Sequence, residues 1–274
     1  MKIHKIPTRM LLDYLHLTAL ARDLYSYSKY YLSITTHIRN ARFRNSNAPN
    51  GPPLPAPRMV YLVTGQFSLE PFLVNGSLGA QCIQNILTKN GLNIREFNSI
   101  LDFGCGCGRV LRHLSGLKNS RLYGTDYNPY PIPWCRKAFP SAEFSVNYVQ
   151  TPLDYEESQF DFIYTISVFT HLSVMSQQFW IGELLRVLKP GGYLYLTVHG
   201  ESYFPRLTLR QQESFKAGQA VVVGESFNGK NVCSAYHAEV YVREVLAKDF
   251  HVMDFIPLGA KDANQDVFLL KKPN

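Results

Sequence analysis

Ile100 to Arg109 reads Ile-Leu-Asp-Phe-Gly-Cys-Gly-Cys-Gly-Arg, and no other stretch restricts the fold of the chain as strongly. An apolar, strand-like run leads into Gly104, Gly106 and Gly108, and a helix-like run follows to about Leu114. Glycine at alternate positions suits a turn whose backbone approaches a ligand closely, because no Cβ stands in the way. A strand, a glycine turn and a helix in this order belong to an open sheet whose ligands lie at the carboxyl ends of its strands.

Asp102 narrows the ligand. A dinucleotide site has the spacing G-x-G-x-x-G and leaves the helix N-terminus to a pyrophosphate. Here the spacing is G-x-G-x-G, and a carboxylate at the strand end repels phosphate while attracting a cationic or amino-bearing group.

Downstream the pattern alternates strand and helix, as in a parallel sheet covered on both faces. Strands are expected at Ser99–Phe103, Arg121–Thr125, Ala142–Val146, Phe160–Ser167 and Tyr193–Val198. Helices are expected over 79–90, over 106–114, after an Asn128-Pro129 start, and from Val174 to Leu188 behind a Ser173 cap. Lys189 to Gly192 reads as a turn. Residues 200–235 break the alternation as a β-hairpin insertion around Asn228-Gly229. A helix at Glu239–Lys248 follows, then an antiparallel edge pair at His251–Ile256 and Val267–Leu270.

The net charge of +7 is concentrated at one end. Residues 1–60 hold nine Lys/Arg against Asp13 and Asp23, whereas the remainder holds 19 of each sign. The main domain is therefore neutral, which argues against a nucleic-acid channel across it. Residues 8–45 predict one or two helices, with Leu17, Leu20, Leu24 and Tyr31 on a common face. That face either packs on the main domain or, with its basic neighbours, rests on an anionic membrane as a peripheral contact. Asn47–Pro57, with five prolines in eleven residues, is a linker. Arg58–Gly79 reads as a lid or entry strand. The chain thus divides into a basic helical extension with linker (1–57) and a main domain (58–274). Five scattered cysteines without paired metal spacing point to a reducing cytoplasm and to no metal site. Cys105 and Cys107 serve as small residues between the loop glycines.

Over roughly residues 79–272 the chain resembles the class I S-adenosylmethionine (SAM) methyltransferases. Asp102-x-Gly-x-Gly-x-Gly matches their motif I, and Phe160-Asp161, Lys189-Pro190-Gly191-Gly192 and Asp126 at the second strand's end stand at matching stations. The resemblance implies a Rossmann-like, seven-stranded, mostly parallel sheet of order 3-2-1-4-5-7-6 with the last strand antiparallel. It implies SAM as cofactor and S-adenosylhomocysteine as product. The cofactor set is then Asp102, Gly104, Cys105, Gly106, Gly108 and Arg109 in the loop. Tyr127 belongs to the same set; Asp126 would take the ribose, Asn147 and Tyr148 the adenine, and Ser167 the methionine portion. Where the family often has an acid beside the adenine, this chain has Asn147-Tyr148. Cys-Gly-Cys-Gly-Arg, Ser-Val-Phe-Thr-His-Leu and Gln265-Asp266-Val267 resemble a bacterial subgroup associated with glycan and natural-product pathways. That implies a hydroxyl or amine of a small molecule or saccharide as acceptor. A catalytically silent partner subunit and a nicotinamide-dependent oxidoreductase are the rival readings.

Strand ends also carry His171 and His199, and His237 follows the insertion. His171 is the first candidate for a general base and His199 the second. Each is also readable as a hydrogen-bonded structural histidine, and an amine acceptor needs no base.

Overall fold

The computed structural model describes residues 18–46, 51–229 and 231–274. Leu17 and most of the proposed linker's first half lie outside them. Seven strands form one sheet in the order β3-β2-β1-β4-β5-β9-β8. They are β1 (Ser99–Phe103), β2 (Arg121–Asp126), β3 (Ala142–Val146), β4 (Phe160–Thr165), β5 (Leu188–Val198), β8 (His251–Ala260) and β9 (Gln265–Lys271). β9 runs antiparallel to both β5 and β8, and the other pairings are parallel. The expected order is met, because β6 (Val221–Val223) and β7 (Ser234–Tyr236) form a separate antiparallel hairpin.

The sheet is central because its middle strands have no polar face to give to water, whereas the edge strands β3 and β8 are partly exposed. Every residue of β1 is buried, and so is nearly all of β4. Leu101, Ile163, Leu194 and Leu196 face Trp180 and Leu184 of helix α7 (Val174–Val187). Ile100, Phe162, Tyr164 and Leu269 face Ile83, Ile86 and Leu87 of α4 (Leu69–Lys89). Full burial of a Phe or Leu stabilises by about 1.5–3 kcal/mol over leaving it exposed, so this two-sided core holds the sheet.

Several boundaries differ from the sequence reading. The helix after the glycine turn, α5, is only Leu111–Leu114. Gly106 and Gly108 have φ of +52° and +70°, a left-handed backbone that cannot propagate an α-helix. Helix α6 (Ile132–Ala138) begins behind Pro131. Asn128 does not cap it, since its side chain instead accepts from the Tyr130 amide at 3.0 Å. Lys189-Pro190-Gly191-Gly192 lies inside β5 as an irregularity: Phe160 pairs with Leu188, and Phe162 with Tyr193. The Glu239–Lys248 helix shortens to α9 (Glu239–Tyr241) followed by a π-turn at Val242–Leu246. Ser173 does cap α7, accepting from the Ser176 amide. The insertion carries an unanticipated helix α8 (Leu209–Lys216), whose Thr208 and Gln211 form a capping box.

Upstream, residues 58–79 contain no strand: they fall in α3 (Pro57–Thr64), a short connection and the first half of α4. Before them lie α1 (Thr18–Leu32) and α2 (Ile34–Ser46). Leu24 and Tyr31 do not pack on the main domain, being 61% and 70% exposed. The inward side of α1 is Tyr27 and Tyr30, whose rings meet Tyr61 and Phe67. Among the described residues, no helix is long and apolar enough to cross a membrane.

Candidate active site

The carboxyl ends of β1, β2 and β4 open into one cavity of about 910 Å³. The glycine turn forms its floor. Gly104 and Cys105 both donate their amides to the Thr125 carbonyl, at 2.8 and 3.0 Å, which folds the turn back over β2. A Cβ on Gly104 would collide with Val168, and one on Gly106 with Val63 of α3. These two positions have to be glycine because flanking walls press on the turn. Gly108 faces elsewhere, against the Phe139 ring, and does not line the cavity. Its φ of +70° serves the turn.

Asp126 is fixed from both sides. One carboxylate oxygen accepts from the Gly106 amide at 2.7 Å and the other from the Asn128 amide at 2.8 Å. Each oxygen retains a lone pair for a ligand hydroxyl. Burial raises its pKa, against the pull of those two amides. Asp102 is more strongly perturbed. Burial pushes its carboxyl to about 7, with Tyr164 and Arg109 holding it back and Asp126 driving it up. A desolvated carboxylate of this kind gains when a cationic group arrives beside it. Arg109 lines the same cavity, but its guanidinium is paired at 2.8 Å with the fully buried Asp262 carboxylate on the β8–β9 turn.

Tyr127 and Asn147 also line the cavity. Asn147 accepts from the Thr125 hydroxyl at 3.0 Å, which orients its amide. Tyr148 is 67% exposed and is not brought to the cavity; its neighbour Val149 is. Ser167 lines it with φ of +60°, a conformation rare for residues with a side chain. A buried chain holds it there: the Ser167 amide donates to the Thr197 hydroxyl at 2.9 Å, and that hydroxyl donates to the Gln265 carbonyl at 2.7 Å.

Beyond Ser167 the cavity continues past His171, Ser176, Trp180 and the insertion residues 227–229, 231 and 232. Four hydrogen bonds tie the insertion to the segment at the start of α7. The Gly229 amide donates to the His171 carbonyl at 2.7 Å, and His171 Nδ1 lies 2.7 Å from the Cys233 carbonyl. Asn228 accepts from the Ser173 amide at 2.8 Å and donates to the Ser176 hydroxyl at 2.7 Å. A carbonyl can only accept, so Nδ1 carries a proton, and Nε2 is the nitrogen that exchanges one when the ring changes between its neutral and cationic forms.

The other two histidines are placed differently. His199 does not line the cavity. Its ring is 6.3 Å from that of His171 and 4.2 Å from Tyr203. Burial, then the neighbouring His171, lowers its pKa to about 4. His237 is fully buried, with Nε2 3.0 Å from Gln177 Oε1, and burial lowers it to about 3. Among the described residues, no group of three His, Cys, Asp or Glu side chains is placed to hold a metal ion.

The sequence reading missed Asn228, Ser176, Trp180, Thr197 and the α3 wall. Asn228 was visible only as a turn residue. Gln265 stood out only within a motif whose purpose appears once β5 and β9 are paired.

Residues 101–196 match the family model described as a methyltransferase domain. The sterol 24-C-methyltransferase of Schizosaccharomyces pombe is 29% identical over 106 residues, covering 37% of this chain. The chain spans only 28% of that relative's length. A solved protein from Pyrococcus horikoshii superimposes with a TM-score of 0.52 at 20% identity, over 71% of this chain and 89% of its own. The 1,6-didemethyltoxoflavin-N1-methyltransferase of Burkholderia thailandensis, solved with S-adenosylhomocysteine, gives 0.51 at 18% identity, over 73% and 79%. These two structures share the fold.

Proposed function

We propose that this chain, which carries a class I SAM-dependent methyltransferase domain, transfers a methyl group from SAM to a hydroxyl or amine of a small-molecule or saccharide acceptor. The observation that carries this reading is the pair of buried carboxylates, Asp102 and Asp126, flanking the Gly104-Cys105-Gly106 turn in one cavity. Their chemistry fits SAM. Asp126 has a lone pair on each oxygen for the two ribose hydroxyls, and Asp102 suits the ammonium end. Asn147 and Tyr127, which line the same cavity, would serve the adenine side. Bound SAM supplies a methyl group on a sulfonium, open to in-line attack.

The chain contributes position and a proton acceptor. Ser167, held by Thr197, fixes the wall between the turn and His171. His171 takes the proton of an acceptor hydroxyl at Nε2, its tautomer set by the Cys233 carbonyl. An amine acceptor would use the same chamber without that step. Trp180 and Phe227 offer aromatic faces, and Ser176, Asn228 and Asn231 offer polar groups, a combination suited to a ring bearing hydroxyls or amines. The sterol enzymes match over too short a share of their length to lend their acceptor to this chain. Five free, buried cysteines support a reducing, cytoplasmic setting.

Calorimetry with SAM and S-adenosylhomocysteine tests the donor side. Both should bind, and Asp126→Ala should weaken them by about 10- to 100-fold, the range for hydrogen bonds to a charged group. Tight NADH binding without SAM binding would overturn the reading. Transfer from labelled SAM into fractionated extract then identifies the acceptor class, and absence of turnover with every fraction would favour a silent subunit.

A further inference from the structure

We propose that the outer face of α1 and α2 docks on an anionic lipid bilayer. Leu24, Tyr25, Tyr31 and Leu32 of α1 are 61%, 67%, 70% and 82% exposed, and Ile34 and Ile38 of α2 are 71% and 46% exposed. At 100° per residue the four α1 side chains fall within one arc, opposite the inward Tyr27 and Tyr30. Ile34 and Ile38 likewise fall within one arc of α2, and exposed large apolar side chains grouped in this way mark an interaction surface. The helix is two-sided: Ser26 lines the cavity while the apolar arc faces out.

Charge selects the occupant. Lys29, Arg39 and Arg42 are exposed on the same two helices. From Leu24 through Leu69 the chain has no Asp or Glu. An apolar stripe edged by cations, with no acid over 46 residues, complements anionic headgroups over an acyl boundary. At 15 and 13 residues, the helices suit lying in the interface and are too short to span a bilayer. A second copy is a poorer occupant, because a two-fold contact would set the same cations against themselves. The chain's own residues 1–17 are also net basic, with Lys2, Lys5 and Arg9 against Asp13.

The test is cosedimentation of the full chain with phosphatidylcholine vesicles, with and without phosphatidylglycerol. Binding should require phosphatidylglycerol and weaken with added salt. Leu32→Glu with Ile34→Glu should weaken it at least tenfold, and Lys29→Glu with Arg39→Glu likewise. All four side chains are exposed, so thermal melting of both double variants should match the native protein. Equal binding to both vesicle types, no binding, or unchanged binding by variants that melt normally would each overturn the proposal. So would a native dimer in light scattering that Leu32→Glu with Ile34→Glu dissociates, assigning the face to a second copy. A large drop in melting temperature in that variant would assign it to residues 1–17.

Discussion

His171 and Cys233 are 62 residues apart, yet the imidazole Nδ1 lies 2.7 Å from the Cys233 carbonyl oxygen. One main-chain acceptor in the insertion thus decides which nitrogen of the cavity histidine can take a proton. For a hydroxyl acceptor, His171→Gln should lower kcat by about 10²–10⁴-fold, the usual contribution of a general base. The SAM dissociation constant should stay near its native value. Single-turnover transfer from labelled SAM checks this, and unchanged turnover would remove His171 from the chemistry.

Asp102 should make both stability and binding depend on pH. Its pKa rises from 3.8 to about 7 through burial, so the folded protein holds a proton that the unfolded chain has released. That contribution is present below the unfolded value and is lost as pH rises through 7. The ligand-free melting temperature should fall from about pH 5 to 8 relative to Asp102→Asn. SAM affinity should move the opposite way, by up to about tenfold per unit below pH 7, because the ionised carboxylate suits a cation. Calorimetry across this range should find the dependence flattened in Asp102→Asn.

His199 acts on the acid side. Burial lowers it from 6.5 to about 4, so its contribution is present above pH 6.5 and is lost as pH falls towards 4. His199→Phe keeps a ring against Tyr203 and removes the titrating group. Acid unfolding followed by circular dichroism should begin at lower pH in this variant.

Thr197 links Ser167 to Gln265 through a single hydroxyl. Thr197→Val keeps the shape and leaves a buried amide and a buried carbonyl without their partner, a loss of about 1–3 kcal/mol. Denaturant unfolding measures it, and Thr197→Ser should recover most of it. Ser167 borders the cavity, so SAM affinity should fall in Val and return in Ser.

Asn228 bridges Ser173 and Ser176. Asn228→Ala should raise the acceptor KM while leaving SAM affinity within about twofold, since the bridge is made to the segment at the start of α7 and not to the glycine turn. Equal loss for both ligands would mean that the bridge supports the whole cavity.

The sheet was legible because its signals are local. Buried β1 and β4 read as apolar runs, Ser173 announced its helix, and Asp102 stood out as an acid at a strand end. Asp126 was legible from its place at a strand end. The chamber beyond was not, because Asn228, Trp180 and Val63 acquire their roles only through contacts between distant segments. Helix α8 is an exception: its Thr208–Gln211 capping box is a local pattern that the hairpin reading passed over. The strand alternative for residues 58–79 failed because their apolar density suits a strand as well as a buried helix.

Val63 pressing on Gly106, and Asn228 bridging to Ser176, have a consequence for how such an enzyme diversifies. The turn that would grip the donor lies within the stretch matching the family model, residues 101–196. Much of the remaining wall comes from outside it, from α3 and from residues 227–229, 231 and 232. Selection can rewrite those flanks while the inherited module stays intact. Grafting them between related proteins is therefore a direct route to exchanging acceptor preference under a constant donor.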